Sequence, residues 1–276
     1  MTKNESSSRI VTSVVAVISA AALAVSLIAA GFAACAVPDV STKALASVYS
    51  TDGASPFTKD ELVAAAVQTK HYTIDDNDKA AVYATIAAFN AQEALAGTAG
   101  KGAPKIDATA NYAAGELSGE QVAALEAAFD AASERYVLTP DAVSHLDDVF
   151  GVVQAAKWWL LAAVVAACVG CTATAFCGGK RLLGRVLAGA GVSVLAVFAL
   201  LAAWVAIDFD GFFAQFHSLF FAAGTWTFSW DSLLICMYPP EFWVGMGAIW
   251  LVVTVACCVV CITIGKLLRK GSTQKR

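Results

Sequence analysis

Four stretches of the 276-residue chain are long and apolar enough to cross the hydrocarbon core of a bilayer, which takes roughly 20 helical residues. They cover residues 10–34, 158–177, 186–207 and 242–264, and none contains an acidic or basic residue. A charge in the middle of such a segment would cost roughly 3 kcal/mol on insertion scales, so this absence supports the assignment. The hydrophobic fraction of 58% and the charged fraction of 14% exclude an ordinary soluble domain.

The positions of lysine and arginine predict how these spans are oriented. If the spans alternate in direction, ten basic residues near their ends fall on one side, which the positive-inside rule makes the cytoplasm. Of the 22 acidic residues, only Glu5 falls on that side. The net charge of −4 is therefore the difference between an acidic extracytoplasmic part and a basic cytoplasmic part. This pattern does not indicate a nucleic-acid binder. The basic residues are Lys3, Arg9, Lys180, Arg181, Arg185, Lys266, Arg269, Lys270, Lys275 and Arg276.

The predicted fold is therefore an all-α polytopic membrane protein with four transmembrane helices. A helical extracytoplasmic domain separates the first two helices, and an interfacial amphipathic helix with a loop separates the last two. The remaining segments are a cytoplasmic N-terminus, a cytoplasmic turn and a cytoplasmic tail. Outside the spans, the segments are 1–9 (cytoplasmic), 35–157 (extracytoplasmic), 178–185 (cytoplasmic), 208–241 (extracytoplasmic) and 265–276 (cytoplasmic).

The first apolar stretch also has an alternative interpretation as a signal peptide, since it has a basic start and small residues at its end. Phe32-Ala33-Ala34-Cys35 loosely resembles a lipoprotein processing box. The apolar run is longer than the 7–15 residues of a signal-peptide core, which favours a retained anchor.

Six of the eight cysteines lie in the second and fourth spans, where cysteine acts as a small hydrophobic residue that lets helices approach. Cys168 and Cys171 have CxxC spacing, but their surroundings are apolar helix, so we favour packing over redox or metal chemistry and predict no metal site. Cys35 and Cys236 both fall near the outer interface, and the sequence leaves a disulfide between them open.

The extracytoplasmic segment contains several helix-start signals. Thr58-Lys59-Asp60-Glu61 and Ser118-Gly119-Glu120-Gln121 are capping boxes, and we expect the second helix to run to about Tyr136. Between them, an acidic cap at residues 75–78 precedes a helix that ends near Gly97. Thr139-Pro140-Asp141 begins another helix that nothing interrupts before the second span, so His145 is expected on a helix that leads into the membrane.

The segment between the third and fourth spans carries the second candidate histidine. Phenylalanines recur at helical spacing from Phe209 to Phe220, which predicts an amphipathic helix in the outer interface with His217 at the edge of the apolar face. An imidazole titrates near working pH and is a candidate proton-transfer group. The alternative is that His217 only fills a polar niche in an aromatic belt.

This segment resembles the signature of the lipoprotein intramolecular transacylase (Lit) family of bacterial membrane proteins. A second motif of that family, a histidine shortly before the second span, resembles His145-Leu146-Asp147-Asp148-Val149. The likeness is good over the last half of the chain and poor over Asp75–Val137; Ala222–Thr225 and Ser229-Trp230 depart from the pattern. The residues that carry it are Asp208, Phe213, Phe216-His217-Ser218-Leu219-Phe220-Phe221, Trp226, Asp231, Leu233, Leu234 and Pro239-Pro240-Glu241-Phe242-Trp243.

The resemblance implies an enzyme that moves an acyl chain from the sn-2 ester of a lipoprotein's diacylglyceryl-cysteine to the α-amino group of that cysteine. It implies catalytic roles for His145 and His217 and supporting roles for Trp226 and Asp231, without a metal or soluble cofactor. The partners would be diacylglyceryl-modified lipoproteins within the phospholipid bilayer of the cell membrane, at its outer face.

Asp148, one helical turn after His145, is predicted to support that ring by accepting its N–H, and the alternative is that it only solvates the outer face. Asp147 is predicted to point about 100° away on the same helix. His71 is expected to be a solvated and dispensable histidine.

Two other functions stay open at this level. The chain could be a non-catalytic membrane protein whose outer domain binds or senses a partner, or a redox or metal protein that uses its membrane cysteines. An enzyme needs His145 and His217 close in space, although they are far apart in sequence, whereas a structural protein does not.

Overall fold

The computed structural model of the chain describes residues 3–113 and 117–271. All regular elements within these ranges are α-helices, which confirms the predicted all-α class for this part of the chain. The predicted basic residues Lys275 and Arg276 lie outside the described residues. The helices are α1 (Lys3–Ala36), α2 (Asp39–Tyr49), α3 (Lys59–Ile74), α4 (Lys79–Ala96), α5 (Gly119–Asp130), α6 (Pro140–Ile207), α7 (Phe209–Ser218), α8 (Leu233–Met237) and α9 (Pro240–Gly271).

Three of these helices are long and apolar enough to cross a membrane, at Arg9–Ala36, Pro140–Ile207 and Pro240–Lys270. They fit a multi-pass membrane protein. The 68-residue helix α6 joins the predicted second and third spans, and its helical dihedrals are interrupted only at Gly179, with φ 73° and ψ 174°. Glycine adopts this left-handed backbone without the steric cost that a Cβ imposes. The predicted turn at 178–185 is thus shortened to one residue.

Packing within the unit formed by residues 1–34, 155–213 and 248–276 shows that α6 reverses at this glycine. The hydroxyls of Ser19 and Thr174 lie 3.4 Å apart, while Leu27 clusters with Val194. Ser19 and Leu27 are about 12 Å apart along α1 at about 1.5 Å per residue, whereas Thr174 and Val194 would be about 30 Å apart on a straight helix. The two halves of α6 therefore form a helical hairpin. The number of membrane spans, four, stays a prediction.

Small residues let α6 and α9 approach closely in this unit. A Cβ on Gly184 would come within 2.6 Å of the Gly265 carbonyl oxygen, and a Cβ on Gly265 would meet the Gly184 carbonyl at the same distance. Cys258 is fully buried beside Leu27 and Val194, as expected for cysteines that pack helices. Among the described residues, no group of three or more His, Cys, Asp or Glu side chains is arranged to hold a metal ion.

The second unit comprises residues 35–154 and 214–247. Its helices α3, α4 and α5 and the start of α6 begin where the sequence predicts, whereas α2 and α8 were not predicted. Both capping boxes are formed: the Thr58 hydroxyl and the Glu61 carboxylate cap each other's backbone N–H groups, and Ser118 and Gln121 do the same. α4 ends at Gly97 in a left-handed conformation. These helix ends are determined locally, by side chains that satisfy the unpaired backbone groups of the first and last turns.

The prediction that α5 reaches Tyr136 is wrong, because the helix ends at Asp130. The following residues turn back, and Val137 and Leu138 are buried in the core of the unit. Asn90 of α4 holds this turn by donating its side-chain amide to the Tyr136 carbonyl at 2.9 Å. Burial of two large aliphatic side chains outweighs continuation of an alanine-rich helix.

The segment that follows α7 is also part of this core. Leu233 and Met237 of the short helix α8 are almost completely buried. The Tyr238 hydroxyl donates to the Ala66 carbonyl, and the Ser50 hydroxyl donates to the Met237 carbonyl at 3.0 Å. No disulfide joins Cys35 and Cys236; both are buried thiols.

Candidate active site

His145 and His217 lie beside each other in the second unit. His145 stands in the second turn of α6, in the part that precedes Trp158, and His217 stands near the end of α7. Their ring centroids are 6.3 Å apart, and their planes are inclined by 28°. The structure therefore brings together the two histidines whose proximity an enzyme would require.

The two rings are too far apart to hydrogen-bond to each other directly. The atoms of an imidazole lie roughly 1.1 Å from its centroid, so the nearest atoms of the two rings are at least about 4 Å apart, beyond direct hydrogen-bond reach. A small polar group could instead contact both rings at about 3 Å, the distance that proton transfer needs.

Aromatic side chains surround both imidazoles. The Phe221 ring contacts both, with its centroid 4.8 Å from His145 and 5.8 Å from His217. Phe228 lies 5.7 Å from His145, and Trp226 lies 4.8 Å from His217 with an interplanar angle of 31°. Trp226, a predicted supporting residue, is thus stacked on one of the two histidines. The enclosure is apolar, which strengthens electrostatic interactions within it.

His145 is the more buried of the pair, at 8% exposure, whereas His217 is half-buried. Burial lowers the pKa of His145 to about 4, and the nearby His217 lowers it too, while the charge of Asp148 opposes both. The Nδ1 atom of His145 is buried without a hydrogen-bond partner among the described residues. His145 is therefore a neutral imidazole at neutral pH, with a ring nitrogen available to a bound molecule.

The two aspartates that follow His145 differ from the expected pattern. Asp148 is exposed, and within the described chain no hydrogen bond joins it to His145, so it acts on that ring through its charge. Asp147, predicted to point about 100° away from Asp148 on the helix, accepts hydrogen bonds from the Tyr72 hydroxyl and, at 3.2 Å, from the Asn77 amide. Asp147 thus fastens α6 to the end of α3, two residues after His145. No local pattern in the sequence predicts this contact.

Asp231, the other predicted supporting residue, pairs with a group that sequence analysis missed. Its carboxylate lies 3.6 Å from Nε of Arg135, whose guanidinium also donates to the Ala54 carbonyl at 2.9 Å. Two residues later, the Leu233 N–H donates to the Glu134 carbonyl at 2.8 Å. Asp231 therefore helps to fix the end of the loop that carries Trp226 and Phe228.

The sequence analysis predicts a solvated His71, but in the structure this side chain has two carboxylate partners. Its Nε2 lies 3.2 Å from Asp39, and its Nδ1 lies 2.8 Å from Asp75. Lys70, which is almost fully buried, contacts the same two carboxylates. These groups tie the start of α2 to the end of α3, so His71 belongs to a structural charge cluster.

One protein-family model matches this region of the chain. The model of the family described as lipoprotein intramolecular transacylase Lit matches residues 108–243, a range that includes both histidines, the three aromatic rings and Asp231. The match begins inside the segment 75–137 that the sequence analysis takes as divergent. The predicted resemblance to this family is confirmed.

Solved structures of similar fold come from the membrane-integral lipoprotein intramolecular transacylase Lit of Bacillus cereus. A variant with a histidine-to-arginine substitution is 15% identical with a TM-score of 0.65, and covers 99% of both chains. A variant with a histidine-to-alanine substitution is 14% identical with a TM-score of 0.65, covering 99% of this chain and 100% of its own. At these identities the likeness concerns the fold. No curated protein sequence matches the chain significantly.

Replacing Asp147 by alanine is expected to destabilise the protein, whereas replacing Asp148 is not. The first change leaves the buried Tyr72 hydroxyl without its acceptor, which costs about 1–3 kcal/mol. Thermal unfolding of the purified variants, Asp147→Ala against Asp148→Ala, measures the difference. Equal midpoints would show that the Tyr72 contact does not stabilise the fold.

Acidification is expected to destabilise the folded protein through His145. The unfolded imidazole binds a proton below about pH 6.5, but the folded one binds it only below about pH 4. Between these values the unfolded state holds more protons, so the free energy of unfolding falls as the pH falls. By about pH 5 the loss amounts to about 2 kcal/mol, at 1.36 kcal/mol per pH unit.

The control for this effect is His145→Phe, whose ring suits the aromatic enclosure and carries no titratable group. The difference in unfolding free energy between about pH 7.5 and about pH 5 should be larger for the wild-type protein than for the variant. If both proteins lose the same stability, the buried imidazole does not titrate as its surroundings require.

Proposed function

We propose that this chain, which carries the Lit family match over residues 108–243, is a lipoprotein intramolecular transacylase. The reaction moves an acyl chain from the sn-2 ester of a diacylglyceryl-cysteine to the α-amino group of the same cysteine and leaves a lyso-form lipoprotein. The observation that carries the proposal is the pair of imidazoles, 6.3 Å apart inside an aromatic enclosure. A protein with a purely structural interfacial helix would not need this arrangement.

The reaction needs three things from the site. The amine nitrogen attacks the ester carbonyl carbon, so that a C–N bond forms and the nitrogen must lose a proton to a base. The carbonyl oxygen carries negative charge in the tetrahedral intermediate, which donors or positive charge must stabilise. The C–O bond to glycerol then breaks, and the departing oxygen takes a proton from an acid. Atoms and protons balance within one substrate molecule, without a cofactor.

We assign the base role to His145. Its pKa of about 4 keeps the ring neutral, and its buried Nδ1 has no partner among the described residues. Such a ring is a weak base, but the attacking nitrogen becomes strongly acidic once its bond to the carbonyl carbon forms. His217 lies within reach of the same bound group and is half-buried, which suits it to deliver a proton to the departing glycerol oxygen.

Supporting roles follow from the contacts of the other residues. Trp226 stacks on His217 and restricts the orientation of that ring. Asp231, through Arg135, holds the end of the loop that carries Trp226. Asp148 acts by its charge, which opposes the lowering of the His145 pKa and so makes the ring a better base.

The substrate class fits a site beside a bilayer. In the second unit, α7 and the residues after it expose Phe216, Leu219 and Phe220, which suit contact with lipid. We propose that the pair of histidines lies at the extracytoplasmic face of the cell membrane. The acyl chains of the lipoprotein would then stay in the bilayer while its peptide stays in water.

The decisive experiment is mass spectrometry of a lipoprotein's N-terminal peptide. The lipoprotein is isolated from a host without other N-acylation activity, with and without this protein. An N-acylated lyso-peptide should appear only when the protein is present. A free amino terminus in both samples would remove the transacylase proposal.

The two histidines are expected to be required, and His71 is expected to be dispensable. His145→Ala and His217→Ala should each lower the yield of lyso-lipoprotein by roughly 10²-fold or more, since loss of a general acid or base costs 10²–10⁴-fold. His71→Ala is the control at matched membrane abundance. Loss of activity in His71→Ala with activity retained in His217→Ala would refute the assignment of the site.

We also propose that both termini are cytoplasmic and that residues 35–157 are extracytoplasmic, as the four-span arrangement requires. A cysteine placed at Gly100, in a background without the native exposed cysteines Cys168 and Cys177, should react with an impermeant thiol reagent added outside intact cells. Gly100 is exposed, and a Cβ there would lie 2.5 Å from the Tyr136 hydroxyl, so the Tyr136 side chain must move aside in this variant. Labelling only after the membrane is made permeable would contradict the proposed topology and place Gly100 in the cytoplasm.

A further inference from the structure

Helix α2 carries an exposed apolar stripe that no described residue covers. Val40 and Val48 are 69% and 65% exposed, Ala44 between them is exposed, and Val37 just before the helix is 64% exposed. These residues recur every three or four positions and so share one face. The opposite face packs into the second unit through Ser41, Thr42 and Ala46. The exposed valines and alanine form an apolar stripe, which the polar Lys43 and Ser47 border on one side. Such a stripe suits a surface that meets another apolar phase.

Two contacts with α9 locate this stripe. The Cys35 thiol, at the end of α1, donates to the Met246 carbonyl of α9 at 3.4 Å. Leu45 of α2 fills the space beside Gly245, where a Cβ would come within 2.6 Å of a Leu45 methyl group. The end of α1 and the middle of α2 therefore contact the same turn of α9.

This shared contact determines the direction of α2. Had α1 continued straight, Leu45 would lie about 15 Å beyond Cys35 at about 1.5 Å per residue. Instead Leu45 meets a residue adjacent to the partner of Cys35. The chain folds over at Pro38, and α2 lies across the first turns of α9 and does not extend away from them.

We propose that α2 is an interfacial helix whose valine and alanine stripe inserts into the bilayer surface at the end of α1. Both α1 and α9 contain apolar stretches long enough to cross a membrane, and α2 lies where one ends and the other begins. The first turns of α9 expose Trp243 and Val244 at this level. The occupant of the stripe is the boundary between headgroups and acyl chains, which takes aliphatic side chains.

The polar residues of α2 agree with this depth. Lys43, at 59% side-chain exposure, has an aliphatic stem that lets its ammonium reach the headgroups. Tyr49 at the end of the helix is 38% exposed, and tyrosine is favoured where an apolar phase meets water. The proposal does not depend on the transacylase reaction, since it rests on exposure and helix direction alone.

Photocrosslinking tests what covers the stripe. The residue p-benzoylphenylalanine replaces Val48 in the full chain, which is reconstituted in nanodiscs of phosphatidylethanolamine and phosphatidylglycerol and irradiated. We expect the intact protein to gain the mass of one phospholipid. The same replacement at Val40, two helical turns earlier on the same face, should give the same adduct. It provides a second test if the Val48 variant folds poorly.

Leu95 of α4 provides the matched control, because it is 68% exposed and precedes an exposed glycine-containing connector. Its variant should give at least fivefold less lipid adduct than the two α2 variants. Equal lipid adducts at all three positions would overturn the proposal, as would their absence at Val40 and Val48. An adduct with a second copy of the chain would assign the stripe to self-association and overturn it too.

Discussion

Burial of the segment after α7 is the constraint on which the candidate site depends. Leu233 and Met237 of α8 are inserted into the same core as α3 and α4, and backbone carbonyls of the segment accept hydrogen bonds from Ser50 and Thr51. The loop with Trp226 and Phe228 is attached to this anchored segment at one end and to α7 at the other. Without the anchor, the aromatic rings would have no fixed position over the two imidazoles. A site that transfers protons needs this kind of rigid support.

The site combines two demands that oppose each other. In the proposed reaction, an aromatic enclosure would suit an ester with acyl chains and would limit the water that competes with the amine for the acyl group. The same enclosure penalises charge, so the proton-transfer groups must be ones that can stay neutral. Imidazole meets this condition, whereas a buried carboxylate would require a partner. The absence of a direct Asp148 contact to His145 among the described residues is consistent with a ring kept neutral.

Sequence analysis succeeded where structure is determined locally and failed where partners are distant along the chain. Thr58, Ser118 and Pro140 mark helix starts because capping satisfies nearby backbone groups, and the apolar spans follow from length and composition. The pairs Tyr72–Asp147 and Arg135–Asp231 join residues about 75 or more positions apart, and no local pattern encodes them. The end of α5 was missed because burial of Val137 and Leu138 outweighs helix propensity. His145 and His217 were found through the family resemblance, since composition alone does not distinguish them from ordinary interfacial histidines.

The two histidines differ in exposure, and this difference is the basis for proposing different proton-transfer roles for them. His145 lies on the rigid start of α6, held by the contacts of Asp147, whereas His217 lies near the end of a ten-residue helix whose side chains are not buried. Paired titratable groups take different roles when their environments differ, and burial is the strongest such difference here. In the proposed reaction, the buried ring would suit the nitrogen that forms the new amide bond. The half-buried ring would suit the glycerol oxygen, which must leave with a proton.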